Sequence, residues 1–197
     1  MLAYLQRTGE SAKASRAGLE KHLQRQRREN FYAISMGHVF RLREEIVVRA
    51  PIERCFLLST NLEIVAQELG LRPVRGRTSG LIVGGETVRW EGWRLGLPQF
   101  HESLIDRFEP PVFFRDSMID GRFAGFEHDH AFFDHSGGSV LLRDEVRFSM
   151  PCGWMGELVG RWVMTADIRK LMQSRFARLK RIAESEEWRR YLPEVTA

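Results

Sequence analysis

Apolar and polar residues alternate from Val39 to Ala50: Phe40, Leu42, Ile46 and Val48 share one side with Glu44, while Arg41, Arg43, Glu45, Val47 and Arg49 take the other. A period of two is that of a strand with one buried face. Pro51 stops the alternation. IERCFLLS followed by NLEIVAQELG then predicts two short helices, the second capped by Asn61 and ended by Gly70. From Leu71 to Pro151 short aromatic and β-branched runs are separated by Gly80, Gly84-Gly85, Pro98, Pro110-Pro111, Gly121 and Ser136-Gly137-Gly138. That texture predicts an antiparallel meander, with strands near 71–75, 80–83, 87–96, 99–108, 112–120, 126–135 and 139–149.

Beyond Pro151 the spacing changes. Met155, Leu158, Val159, Trp162, Val163, Leu171, Met172, Phe176, Leu179, Ile182 and Ala183 recur at three and four, which predicts a long helix with one apolar stripe. Arg169, Lys170, Arg175, Arg178, Lys180 and Arg181 are assigned to its polar side, and a dip over 165–169 predicts a bend. Such a helix needs an apolar surface to cover, and a curved antiparallel sheet wrapped around it supplies one. The expected class is therefore α+β, with the two short helices closing one end of the groove and a hollow left between sheet and helix.

Composition adds bounds. The chain has 197 residues, 43% hydrophobic and 28% charged, which fits one folded domain and excludes a wholly disordered chain. No apolar stretch is long enough to span a membrane, and the opening MLAYLQRTGE is too short an apolar run for a signal peptide. With two cysteines, Cys55 and Cys152, the expectation is a cytoplasmic protein with reduced thiols. Residues 1–35 carry seven basic and three acidic residues, which accounts for the entire formal charge of +4. They are read as a basic extension, helical or disordered, with Leu19 and Leu23 as the large apolar residues of its helix-forming stretch; 36–192 is read as the folded domain. Met36, directly before GHVFRLREEIVVRAP, offers an alternative translation start. Since the body is electrically balanced, no nucleic-acid partner is expected, the basic extension being the feature that would support one.

Candidate chemistry concentrates in two predicted strands. Phe126, His128, His130 and Phe132 share a face of one, and Val140, Leu142, Asp144, Val146 and Phe148 share a face of the next. A turn about Ser136–Gly138 with His130 opposite Asp144 also sets Phe132 by Leu142 and Glu127 by Arg147, so faces and charges agree. A similar count about Gly121 brings Asp116, on the strand with Phe114 and Met118, beside His130 on its other flank. An inward cluster of Asp116, His130 and Asp144, with His128 nearby, follows. Buried carboxylates are costly unless paired, and both acids would raise the pKa of His130 while burial opposes them. The cluster can serve as a register-pinning network, as a polar anchor for a bound ligand, as a His-x-His-plus-carboxylate metal site, or as acid–base equipment. Glu44, His101, Glu102 and Asp106 are further polar candidates. Walker-type phosphate loops, nucleophile elbows and metal-spaced cysteines are missing.

Three stretches resemble one known superfamily: VVRAPIERCF, PPVFFRDSMIDGRFAGFEHDHAF and GGSVLLRDEVRFSMPCGWMG. Together they resemble the START-like or SRPBCC helix-grip superfamily, over about Met36 to Tyr191, and in particular a bacterial subgroup of uncharacterised ligand-binding proteins. Phe126 stands where that subgroup's pattern has Trp. The resemblance implies a small hydrophobic or amphipathic ligand, such as a lipid, quinone or polyketide-like molecule, held between sheet and C-terminal helix. The superfamily also includes polyketide cyclases, so an enzyme of cyclase or dehydratase type using His130 is the alternative. The ligand-contacting residues expected are Asp116, Met118, Phe126, His128, His130, Phe132, Asp144, Val146 and Trp162, without a metal or other cofactor. A homodimer is left open.

Overall fold

The computed structural model describes residues 38–192. The basic extension and the alternative start at Met36 lie outside the described residues. Strand β1 runs Val39–Val48, and its Phe40, Leu42 and Val48 are buried while Arg41, Arg43, Glu45 and Val47 are exposed, as the alternation requires. Helices α1 (Ile52–Thr60) and α2 (Leu62–Leu69) follow. Asn61 caps α2, its side-chain oxygen accepting from the amides of Glu63 at 2.9 Å and Ile64 at 3.2 Å. Gly70 ends α2 at φ +65°, a conformation that favours glycine.

Six strands complete the sheet: β2 (Leu71–Gly76), β3 (Thr87–Arg94), β4 (Leu97–Glu109), β5 (Phe113–Gly121), β6 (Gly125–His135) and β7 (Ser139–Ser149). The order is β1-β7-β6-β5-β4-β3-β2, every pair antiparallel. Residues 80–83, expected as a strand, do not form one. Their backbone is taken up by the α1–α2 junction, with Leu62 N donating to Gly80 O and Ile82 N to Thr60 O, both at 3.0 Å.

The C-terminal helical segment comprises α3 (Gly153–Val159), a π-helical turn (Gly160–Met164) and α4 (Thr165–Ala183), followed by the short α5 (Trp188–Tyr191). The irregularity falls one turn before the expected dip, and Thr165 Oγ1 donates to Gly160 O at 2.8 Å. The α4 stripe of Ile168, Met172, Phe176, Leu179, Ile182 and Ala183 is buried against the concave face of the sheet. The α3 end differs: Met155, Leu158, Trp162 and Val163 are exposed. Glycines four apart explain this. A Cβ on Gly160 would sit 2.5 Å from Phe40 Cε2, and one on Gly156 would sit 1.8 Å from Pro151 O. The helix meets the rest of the domain through its glycine side, which turns Met155, Leu158 and Trp162 outward.

Curved sheet, long helix and the α1–α2 pair together form the expected helix-grip architecture. Its main core joins Val48, Phe56, Leu58, Ile64, Leu142, Leu179 and Ile182. A smaller cluster of Phe40, Leu42, Val146, Phe148, Ile168 and Met172 packs on the β1–β7 side of the helix.

Candidate functional site

Between the sheet, α2 and the C-terminal helical segment lies a cavity of about 530 Å³. Its walls are mostly apolar, including Leu62, Ile82, Trp90, Ile105, Val146, Ile168, Leu171 and Met172. Polar groups enter the lining from β4, β5 and β6 through His101, Asp116, His128 and His130, and from the helices through Glu68 and Arg175. Strand geometry puts them there, because residues two apart on β6 point the same way and their cross-strand partners on β5 and β7 point with them.

The β6–β7 hairpin has the expected register: His130 pairs with Asp144, Phe132 with Leu142 and Glu127 with Arg147. On the outer face Arg147 links Glu127 at 3.0 Å and Asp129 at 2.9 Å, while Arg115 holds Asp129 from β5. On the β5 side the register differs from the expected one by two residues. Asp116 lies opposite His128, and Phe114 lies opposite His130 with the two rings stacked at 4.2 Å. Asp116 still reaches His130 diagonally, with Oδ2 at 3.3 Å from Nε2.

The inward cluster therefore assembles. His130 Nδ1 lies 3.0 Å from Asp144 Oδ1, and His128 places Nδ1 3.8 Å from Asp116 Oδ2 and Nε2 3.3 Å from Asp144 Oδ2. That last approach is within ion-pair distance but lacks hydrogen-bond alignment, leaving the buried Nε2 without a hydrogen-bond partner among the described residues. Beneath the imidazoles, Arg175 Nη1 donates to Asp144 Oδ2 at 2.5 Å, and its Nε lies 3.5 Å from Glu68 Oε2.

Arg175 and Glu68 are the members that the sequence reading missed. Arg175, expected on the polar side of the helix, is only 7% exposed. The signal was present: Ile168, Met172, Arg175 and Leu179 are spaced four, three and four, on the buried stripe. Glu68 likewise follows the buried Ile64 by four residues. His101, one of the secondary candidates, lines the cavity and meets the Phe126 ring edge-on at 5.4 Å.

Of the nine residues expected to contact ligand, Asp116, Phe126, His128, His130 and Val146 line the cavity. Asp144 is buried behind the two imidazoles and outside the lining. The other three also lie outside the lining. Phe132 is buried but packs into the main core, its ring 5.4 Å from that of Phe56 on α1 and 6.2 Å from Phe114. Met118 is buried with its sulfur over Gly121, away from the lining. Trp162 is 73% exposed on the π-helical turn, and the neighbouring Val159 and Val163 take the lining positions instead.

Burial and charge act against each other throughout this site. Burial lowers the pKa of His130, but the Asp144 charge and hydrogen bonds to both acids outweigh it, and the net shift is upward. His128 goes down, through burial and repulsion from His130. Burial alone would raise Asp144, yet Arg175 and the two histidines hold it well below the usual carboxylate range; Asp116 is lowered by the histidines in the same way. Glu68 is pushed up to about 7 by burial, against the pull of Arg175. His101 is lowered by burial. His130 thus sits as a cation-favouring ring between two carboxylates at the wall of an apolar hollow.

No family model matches the chain, and no curated protein matches it. Similar solved structures include a START superfamily protein from Mycobacterium smegmatis (12% identity, 72% of this chain and 98% of that one, TM-score 0.55). A truncated norcoclaurine synthase from Thalictrum flavum is also similar (9% identity, 75% and 96%, TM-score 0.56), as is the major latex-like protein 151 of Panax ginseng (10% identity, 76% and 100%, TM-score 0.52). Identities this low establish a shared fold alone.

Proposed function

We propose that this START-like helix-grip domain binds a small hydrophobic or amphipathic molecule in the cavity between the sheet and the C-terminal helix. The observation that carries the reading is a mostly apolar hollow of about 530 Å³ with His130 at its wall, held between Asp116 and Asp144, and Arg175 paired to Asp144. Its size suits a drug-sized or lipid-like molecule, and a few placed polar groups in an apolar wall are what orient such a ligand. Burial of apolar ligand surface would supply about 25 cal/mol per Å², offset by the entropic cost of association. His101, Asp116, His128 and His130 would receive the ligand's polar end. A norcoclaurine synthase of the same fold, solved in complex with dopamine and hydroxybenzaldehyde, supports the reading by analogy.

Val146→Trp tests it, because the substitution places an indole in the hollow from β7. Binding of 1-anilinonaphthalene-8-sulfonate, followed by fluorescence, should weaken by about tenfold or more, equivalent to about 1.4 kcal/mol. Unchanged affinity in a variant with an unchanged circular dichroism spectrum would overturn the proposal. Native mass spectrometry of the protein from its own host should show a retained adduct that Val146→Trp loses. Conversion of that adduct on incubation with the protein, abolished by His130→Gln, would replace binding with acid–base turnover.

A further inference from the structure

We infer that Asp116, His128 and His130 form a binding site for a divalent first-row transition ion at the wall of the cavity. The inference does not depend on the identity of any organic ligand. The three side chains bring a carboxylate oxygen and two ring nitrogens within 4.8 Å of one another. His130 Nε2 lies 3.3 Å and His128 Nδ1 lies 3.8 Å from Asp116 Oδ2. Donors about 2.0–2.1 Å from a common ion are separated by about 3.0–3.4 Å, so His130 and Asp116 already stand at that spacing, and rotation of the His128 ring has to bring the remaining separations, all within 4.8 Å, down to it.

What surrounds these donors favours an ion over a closed hydrogen-bond network. Each imidazole turns its remote nitrogen toward the same outer carboxylate: His130 Nδ1 meets Asp144 Oδ1 at 3.0 Å, and His128 Nε2 faces Asp144 Oδ2 at 3.3 Å. A carboxylate behind a histidine fixes the tautomer and aims the near nitrogen's lone pair outward, as in metal-ligating histidines. Once an ion displaces the proton that His130 Nε2 shares with Asp116, both near nitrogens present lone pairs to the side of the site where Asp116 stands. The Asp144 charge is matched by Arg175, which leaves Asp116 as the anionic ligand. Asp116 and His128 keep 20% and 15% side-chain exposure and line the cavity, so an ion there would hold coordination positions open to a molecule in the hollow. Two imidazoles with one carboxylate suit Zn²⁺, Fe²⁺ or Co²⁺ better than the all-oxygen shells of Mg²⁺ and Ca²⁺.

Co²⁺ is the probe for the full-length chain after removal of metals with a chelator. Titration should develop visible absorption bands that saturate at one ion per chain, and Zn²⁺ should displace them at the same ratio. Asp116→Asn and His128→Gln should each weaken Co²⁺ binding by about tenfold or more, whereas His135→Gln, on an exposed residue, should not. Bands that never saturate at one equivalent, or that survive both substitutions, overturn the inference. Wild-type protein decides the matter if either variant fails to fold. Zn²⁺ should then shift the ring nitrogens His128 Nδ1 and His130 Nε2 in long-range proton–nitrogen spectra, and shifts confined to other histidines overturn it.

Discussion

Arg175→Met removes the guanidinium that touches both Asp144 and Glu68 while keeping a long, unbranched side chain on the buried stripe of α4. The two side chains of the Arg175–Asp144 pair are 9% and 2% exposed, so solvent screens little of what is lost. Breaking such a pair on one side leaves an uncompensated buried charge, and costs about 3–5 kcal/mol. Asp144 bears most of that penalty, since Glu68 already titrates near 7 and can become neutral instead. For a domain of this size each kcal/mol lowers the melting temperature by about 2–4 °C, which gives a fall of about 6–20 °C by circular dichroism at pH 7. Asp144→Asn combined with Arg175→Met should destabilise by less than the two single changes together, with a coupling of about 1–3 kcal/mol. A single-variant loss below about 1 kcal/mol, the range of exposed ion pairs, would refute the reasoning, as would simple additivity in the double variant.

Acid should unfold the protein through Asp144 and Asp116. Both are held below the usual 3.8, so the stability they contribute is present above that value and is lost as pH falls through their folded pKa values; the urea midpoint of Asp144→Asn should fall less between pH 5 and 3 than that of the wild type. Near neutrality the histidines act in opposite directions. The contribution of His130, raised from 6.5, is complete below that value and disappears as pH rises through its folded pKa, whereas that of the lowered His128 is present above 6.5 and is lost on acidification; His130→Gln should therefore remove a loss of stability on the alkaline side. Iodoacetamide at pH 8 should label exposed Cys152 in the native protein and spare Cys55, whose buried thiol is pushed up to about 12, and a second adduct should appear only on unfolding, as read by intact mass. Gly156→Ala should cost about 1–3 kcal/mol, because its new Cβ would meet the Pro151 carbonyl and only backbone movement relieves the clash; a melting temperature within 1 °C of the wild type would contradict this packing.

Much of the fold is legible in local pattern. The alternation of β1, the Asn61 cap, the Gly70 stop and the β6–β7 register all depend on residues close in sequence, and each is present as read. A hairpin's register follows from its turn and the faces of its two strands, which is why the His130–Asp144 pair is legible in the sequence. The β5–β6 register depends on a less regular connection, and there it lies two residues from the expected one.

Tertiary structure decided the rest, because burial depends on what arrives from far along the chain. Arg175 looks like one more surface arginine until α4 lays it over Asp144, 31 residues away in sequence. Trp162 belongs to an apolar stripe by spacing, yet close approach at Gly156 and Gly160 turns it outward. Phe132 and Val146 both face inward, but Phe56 of α1 fills the space beside one while the other borders the hollow. Periodicity says which way a side chain points; whether it meets another side chain or empty volume there is set by the shapes of elements that meet only when the chain has folded.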